Sequence, residues 1–166
     1  RLKSACGSRF VFEICGGGSC EEELRRLVAA HGLEEDVLVR GKLDRDGIRD
    51  ALARSHVVIV PTTTAFSEGL NKVVVEAVLS ERPCVTSKVS HAVDVLGEAV
   101  VEVPPGDISA YADAIRRLRE DPEEYTRRRA ACRRVQEPFY DPEKSWGGVL
   151  ESLLRELFFG ARGPVV

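Results

Sequence analysis

Short apolar runs alternate with longer amphipathic stretches along the first two thirds of this chain. Residues 9–15 (RFVFEIC) are β-branched and aromatic and stop at Gly16, Gly17 and Gly18, the pattern of a buried strand leaving through a glycine turn. Residues 21–31 then place Leu24, Leu27 and Val28 at helical spacing before Gly32. A second strand is predicted over 37–40, ending at Gly41, and a helix over 46–54 with Ile48, Ala51 and Leu52 inward. The run HVVIV at 56–60 reads as a third strand, ended by Pro61. A helix over 70–80, a strand over 83–87, a short helix over 92–96 and a strand over 99–103 complete the alternation. Continuous apolar strands between amphipathic helices predict an α/β fold: a Rossmann-like parallel sheet of about five strands, with right-handed crossovers and helices on both faces. A ligand of such a sheet belongs at the carboxyl ends of its strands.

Beyond Pro104 and Pro105 the pattern becomes wholly helical, over 108–119, 122–135 and 142–159. Asp121 and Asp141, each followed by proline, fit N-cap and first-turn positions. Residues 160–166 have no periodicity and read as a flexible tail, so 1–159 is expected to be one domain with a helical C-terminal part.

Composition narrows the partners. The chain has 166 residues, 43% hydrophobic and 31% charged, enough for one globular core. Its 24 basic and 27 acidic residues are interspersed, for a net charge of -3, so no field selects nucleic acid and any phosphate recognition must be local. Cys6, Cys15, Cys20, Cys84 and Cys132 form no C-x-x-C pair and fall mostly within predicted elements, as reduced, buried thiols do. No apolar run approaches the roughly 20 residues of a membrane span, and no signal peptide opens the chain. A cytoplasmic protein is expected, with peripheral contact at the inner membrane face left open. The chain holds no methionine, even at position 1, and starts in helix-like sequence, so it is expected to belong to something longer.

Several motifs fail. A G-x-G-x-x-G fingerprint from Gly16 would need glycine at 21, where Glu21 would repel a pyrophosphate. Gly41-Lys42 is followed by Leu43 and is no P-loop. His31, His56 and His91 are scattered without ligand spacing, and no metal site or cofactor is expected. There is no G-x-S-x-G elbow.

One motif holds. The third strand delivers the polar loop 61–67 (PTTTAFS), and Glu68-Gly69 opens the helix that carries Glu76. Eight residues of ideal helix rise about 12 Å, comparable to the separation of two sugars joined through a pyrophosphate. Glu76 is suited to accept charge-assisted bonds from both ribose hydroxyls, and Glu68 to hold hydroxyls of a second sugar. The helix start, with amides from Gly69 onward, suits a diphosphate. A Glu-x7-Glu pair alone is weak, because Leu70, Val74, Ala77 and Val78 form the core stripe and Glu76 on its flank also fits a solvated acid.

The string FSEGLNKVVVEAVLSERPCVTS, set between two strands, resembles the C-terminal domain of family-four retaining glycosyltransferases of the GT-B fold (glycosyl transferases group 1). The resemblance runs from about residue 9 to residue 157 and takes in the strands that end at Gly16 and Gly41. It implies half of a GT-B fold that binds a UDP- or GDP-linked sugar for hexosyl transfer to an acceptor such as a glycan or lipid. By residue, it implies Glu68 as the catalytic contact near the reacting carbon and Glu76 on the donor ribose. Gly69, Leu70, Asn71 and Lys72 would face sugar and phosphate, and Gly41 and Lys42 would border the base. No metal is implied. Thr62 departs from the family's usual serine after Pro61, and Ser80-Glu81-Arg82 from its usual small turn. The family's opening strand, Gly-Arg turn and following lysine have no counterpart, so the resemblance implies that the first strand and the N-terminal acceptor domain are missing, and that this piece alone is inactive. Two other readings stay open here: another GT-B nucleotide-sugar enzyme, epimerase- or phosphorylase-like, and a non-enzymatic α/β module whose last helix docks a partner.

Overall fold

Strands form where β-branched residues run together: Phe12–Cys15 (β1), Val37–Gly41 (β2), Val58–Val60 (β3), Cys84–Ser87 (β4) and Val100–Val103 (β5). The computed structural model describes residues 10–66 and 69–160. The helices are Glu21–Ala30 (α1), Arg45–Arg54 (α2), Lys72–Leu79 (α3), Ala92–Leu96 (α4), Ile108–Glu120 (α5), Pro122–Arg134 (α6), Glu137–Tyr140 (α7) and Trp146–Phe159 (α8). The expected β/α order holds, followed by the expected helical part. Residues 161–166 of the expected tail lie outside the described residues.

Caps move some boundaries. Asp44, Asp107 and Asp121 each accept backbone N–H bonds and start α2, α5 and α6. The helix expected over 142–159 is divided: Asp141 caps a separate turn of 3₁₀ helix, Pro142–Lys144, and Ser145 starts α8 by accepting from the Gly148 N–H at 3.1 Å. Gly148 permits that fold-back, since a Cβ there would collide with the Pro142 carbonyl oxygen and stand 2.7 Å from that of Glu143.

Every strand pair is parallel, as expected, but the described strands form two sheets, β1-β2 and β3-β4-β5, where one sheet of about five strands was expected. Among the described strands β1 pairs with β2 and β3 with β4, and no hydrogen bonding runs between β1 and β3. In the three-stranded sheet β4 is buried along its whole length. One face packs Val60, Cys84 and Val100 against Val74 and Val78 of α3, Leu96 of α4 and Cys132 of α6. The other packs Val85, Val101 and Val103 against Tyr111, Ala114 and Leu118 of α5. Helices therefore cover both faces here. The β1-β2 unit is thinner, with Val28 of α1 buried but Ile14 and Leu27 exposed.

Ion pairs tie the layers together. Arg54 at the end of α2 bonds the Glu13 carboxylate of β1 through Nε at 2.9 Å, and Arg40 of β2 lies 3.5 Å from the same carboxylate. The turn after α3 places Glu81 at φ 56, a left-handed conformation costly for a residue with a Cβ. Its carboxylate is held by Arg129 at 3.2 Å and Arg133 at 2.7 Å, both on α6. Arg82 beside it donates to the carbonyls of Leu52 (3.0 Å) and Ala53 (2.7 Å), closing the end of α2. The departure at Ser80-Glu81-Arg82 is thus a structural joint between α2, α3 and α6. The described cysteines divide: Cys84 and Cys132 are buried as expected, Cys15 is half-buried, and Cys20 is exposed because it precedes α1 in the glycine turn, while Cys6 lies outside the described residues.

Candidate functional site

The loop that begins the candidate site is braced from below. Thr86 Oγ1 at the end of β4 donates to the Val60 carbonyl at 2.9 Å, and the Tyr111 hydroxyl reaches the same carbonyl at 3.3 Å. Ser87 Oγ donates to the Thr62 carbonyl at 2.6 Å, while Ser90 Oγ lies 3.3 Å from Thr86 Oγ1 and donates to the Ser87 carbonyl. Thr86, Ser87 and Ser90 are buried, and their hydroxyls are satisfied by backbone carbonyls at the ends of β3 and β4 and in the loop that follows β3. The sequence hint was an apolar strand with a polar end, but which carbonyls those hydroxyls reach was not readable from it.

Beyond the brace, Pro61 and residues 63–66 are exposed, and Phe66 is 62% exposed. Glu68, the expected catalytic residue, lies outside the described residues. Gly69 and Leu70 follow as exposed loop. The helix starts at Lys72 and not at 70, because Asn71 adopts an extended conformation and its Oδ1 accepts from the Val73 N–H at 2.8 Å. Two expectations change with this. Gly69, Leu70 and Asn71 precede the helix, so the first-turn amides begin at Lys72, and a helical rise cannot be counted from Glu68. Leu70, expected in the core stripe, is exposed, and the stripe consists of Val74, Ala77 and Val78.

Glu76 stands on the exposed side of α3, and its neighbours Ala77 and Val78 bury the other side. A Cβ at Gly69 would meet nothing within 4 Å, so nothing in the described chain demands glycine there. Lys72 is exposed at the first position of α3, beside amides whose partial positive charge suits an anion.

The second cluster lies at the carboxyl end of β2. Gly41 is buried at φ +68, and its carbonyl accepts from the Gly16 N–H at 2.8 Å, which draws the two strand ends together. Lys42 is exposed, with its Cβ 3.5 Å from where a Cβ on Gly17 would stand. Glu21 completes this corner: its Oε1 lies 3.1 Å from the Cβ position of Gly41, and it accepts from Arg25 Nη2 at 2.7 Å. Sequence reasoning set Glu21 aside as hostile to phosphate and did not foresee that it would lie over Gly41. Both clusters occupy carboxyl ends of parallel strands, where a ligand of an α/β sheet is expected. Among the described residues, no helix is long and apolar enough to cross a membrane.

Known proteins share sequence and fold with this chain over much of its length. The family model described as glycosyl transferases group 1 matches residues 1–121. The chain is 30% identical over 114 residues to the alpha-D-kanosaminyltransferase of Streptomyces kanamyceticus, a match covering 68% of this chain and 29% of that protein. Among solved structures, Anabaena HepE in complex with UDP matches with a TM-score of 0.77 at 22% identity, over 92% of this chain and 43% of HepE. A glycosyltransferase from Rickettsia africae matches with a TM-score of 0.78 at 16% identity, over 95% of this chain and 42% of that one. The structural likeness shows the fold, and it bears out the expected half of a GT-B architecture. The chain spans less than half the length of each of these relatives.

Proposed function

Because this chain belongs to the glycosyl transferases group 1 family, we propose that it is the donor-binding part of a retaining glycosyltransferase. The enzyme moves a hexosyl group from a UDP- or GDP-linked sugar to an acceptor such as a glycan or lipid. The observation that carries this reading is the joint between β3 and α3, where a braced loop feeds an eight-residue helix with Lys72 at its start and Glu76 on its exposed side. Glu76 accepts from the donor ribose hydroxyls. Lys72 and the first amides of α3 receive the diphosphate, and the open space at Gly69 lets the ligand approach the backbone. Glu68 contacts the donor sugar near the reacting carbon, Leu70 and Asn71 face it, and Gly41 with Lys42 borders the base. HepE in complex with UDP supports a uridine donor.

In the transfer, the bond from the anomeric carbon to the diphosphate breaks and one to the acceptor hydroxyl forms on the same face. The acceptor proton leaves with the diphosphate, whose growing charge is met by α3 and by cations. In a doubly wound sheet the order 3-2-1-4-5-6 places the first strand between the second and the fourth. The break between β1 and β3 has the form of that order with its central strand left out, which supports a further strand between them. The cationic phosphate clamp and the acceptor-binding domain of this proposal are supported only by the chain spanning less than half of its relatives. The exposed apolar side chains of α8, with Trp146 at 81% and Leu157 at 77%, support a contact with that second domain. The free thiols of Cys15, Cys20, Cys84 and Cys132 support a cytoplasmic setting, with the acceptor in solution or at the inner membrane face.

Calorimetric titration of the full-length protein with UDP-glucose and GDP-mannose tests the reading. One of them binds, and Glu76→Gln weakens that binding by roughly 1–3 kcal/mol. An unchanged affinity in the variant would refute the ribose assignment.

A further inference from the structure

The corner formed by Gly17, Glu21 and Gly41 carries an inference that rests on the donor reading above: we propose that the Glu21 carboxylate reads the imino N–H of the donor's base. Glu21 is the acidic side chain that packs over Gly41, with Oε1 3.1 Å and Oε2 3.7 Å from the Cβ position of that glycine, and Oε2 is also 3.6 Å from the Cβ position of Gly17. Glu21 already covers the buried Gly41, so a planar group would seat beside Gly17, in the cleft that Glu21 itself lines, with the carboxylate at its edge. Arg25 holds Oε1 from the helix side at 2.7 Å, which fixes the carboxylate in place and offsets its charge. An apolar cleft of about 400 Å³ opens beside it, lined by Ile14, Leu24, Leu27 and Val39 together with the glycine turn, and supplies a surface of the kind a base stacks on.

The chemistry follows from the ionised carboxylate, which only accepts hydrogen bonds. Uracil and guanine each present an imino N–H on the edge used in base pairing. Adenine and cytosine present an unprotonated ring nitrogen there, whose lone pair faces a carboxylate with repulsion. Glu21 therefore favours uracil and guanine where it meets the ring nitrogen, whereas adenine and cytosine offer it only their exocyclic amino group. This also accounts for an acid at a helix start that would repel phosphate: the pyrophosphate belongs at α3, and only the base comes to Glu21.

The test is titration of the full-length protein with UDP, GDP, CDP and ADP, in the wild type and in Glu21→Ala and Glu21→Gln. The wild type binds UDP or GDP at least about tenfold more tightly than CDP and ADP, the scale of one misplaced hydrogen bond. Glu21→Ala reduces that ratio to about threefold or less, by weakening the preferred nucleotide and relieving the repulsion of the others. Glu21→Gln improves CDP relative to UDP, because its amide N–H donates to the cytosine ring nitrogen. Tight UDP or GDP binding with an unchanged ratio in Glu21→Ala overturns this inference and leaves the donor reading intact. Binding of none of the four overturns both.

Discussion

At the residue scale, the acids of this chain fall into two kinds, and the surroundings of each decide which. Glu13 and Glu81 are structural. The hydrogen bond from Arg54 holds Glu13 far below the usual carboxylate range, at about 2, against the opposing effect of burial, with Arg40 contributing less. The bond from Arg133 lowers Glu81 in the same direction. A depressed folded-state pKa contributes stability that is present above the unfolded value and lost as pH falls through the folded one. Glu13→Gln therefore lowers stability at pH 7, by about 1 kcal/mol for a well-aligned, partly exposed pair, and flattens the loss of stability between about pH 4.5 and pH 2. Acid titrations of chemical unfolding for the two proteins check this, and parallel curves would contradict it. Glu76 has no such partner role in the fold, since the buried residues of α3 are Val74, Ala77 and Val78. Thiol reactivity separates the cysteines in the same way. Burial pushes Cys132 up to about 11 and Cys84 higher still, whereas Cys20 is exposed. A disulfide reagent followed by peptide mapping labels Cys20 in the folded protein and leaves Cys84 and Cys132 until unfolding. Early labelling of Cys132 would contradict the packing of α6.

At the element scale, periodicity made most of the fold legible. The strands ending at Gly41 and Pro61, and the stripe of Val74, Ala77 and Val78, follow from apolar spacing alone. Boundaries were less legible, because a cap competes with propensity. Leu70 suits a helix, yet the Asn71 side chain closes on the Val73 N–H and starts α3 two residues later than its pattern. Asn71→Ala therefore costs about 1 kcal/mol of unfolding free energy, measured by denaturant titration, and no loss would mean that α3 begins elsewhere. The hydroxyl brace under the candidate site was illegible for another reason, since Thr86, Ser87, Ser90 and Tyr111 act across distances in sequence of up to 51 residues. Thr86→Val removes one of the two donors to the Val60 carbonyl, leaving the Tyr111 hydroxyl, and costs about 0.5–1.5 kcal/mol, with donor affinity falling as the loop loosens. A variant that binds donor normally would show that the brace supports the core and not the site.

At the scale of the whole molecule, a feature that composition could not reveal is the division into two sheets. Five predicted strands suggest one sheet, and only the pairing shows that β1 and β3 do not meet. A chain that spans 43% of HepE has the Gly41 corner, the braced loop and α3, and leaves α8 with its apolar side chains in solvent. On this account residues 1–166 alone transfer no sugar. The central claim is that a nucleotide-sugar donor lies along the N-terminal part of α3 with its base toward Gly41. Hydrogen–deuterium exchange of the full-length protein, with and without saturating UDP-glucose or GDP-mannose, tests it most directly. The account predicts slowed exchange over 69–76 and 41–43, with little change over 137–159. Donor binding that leaves 69–76 and 41–43 unchanged would contradict it.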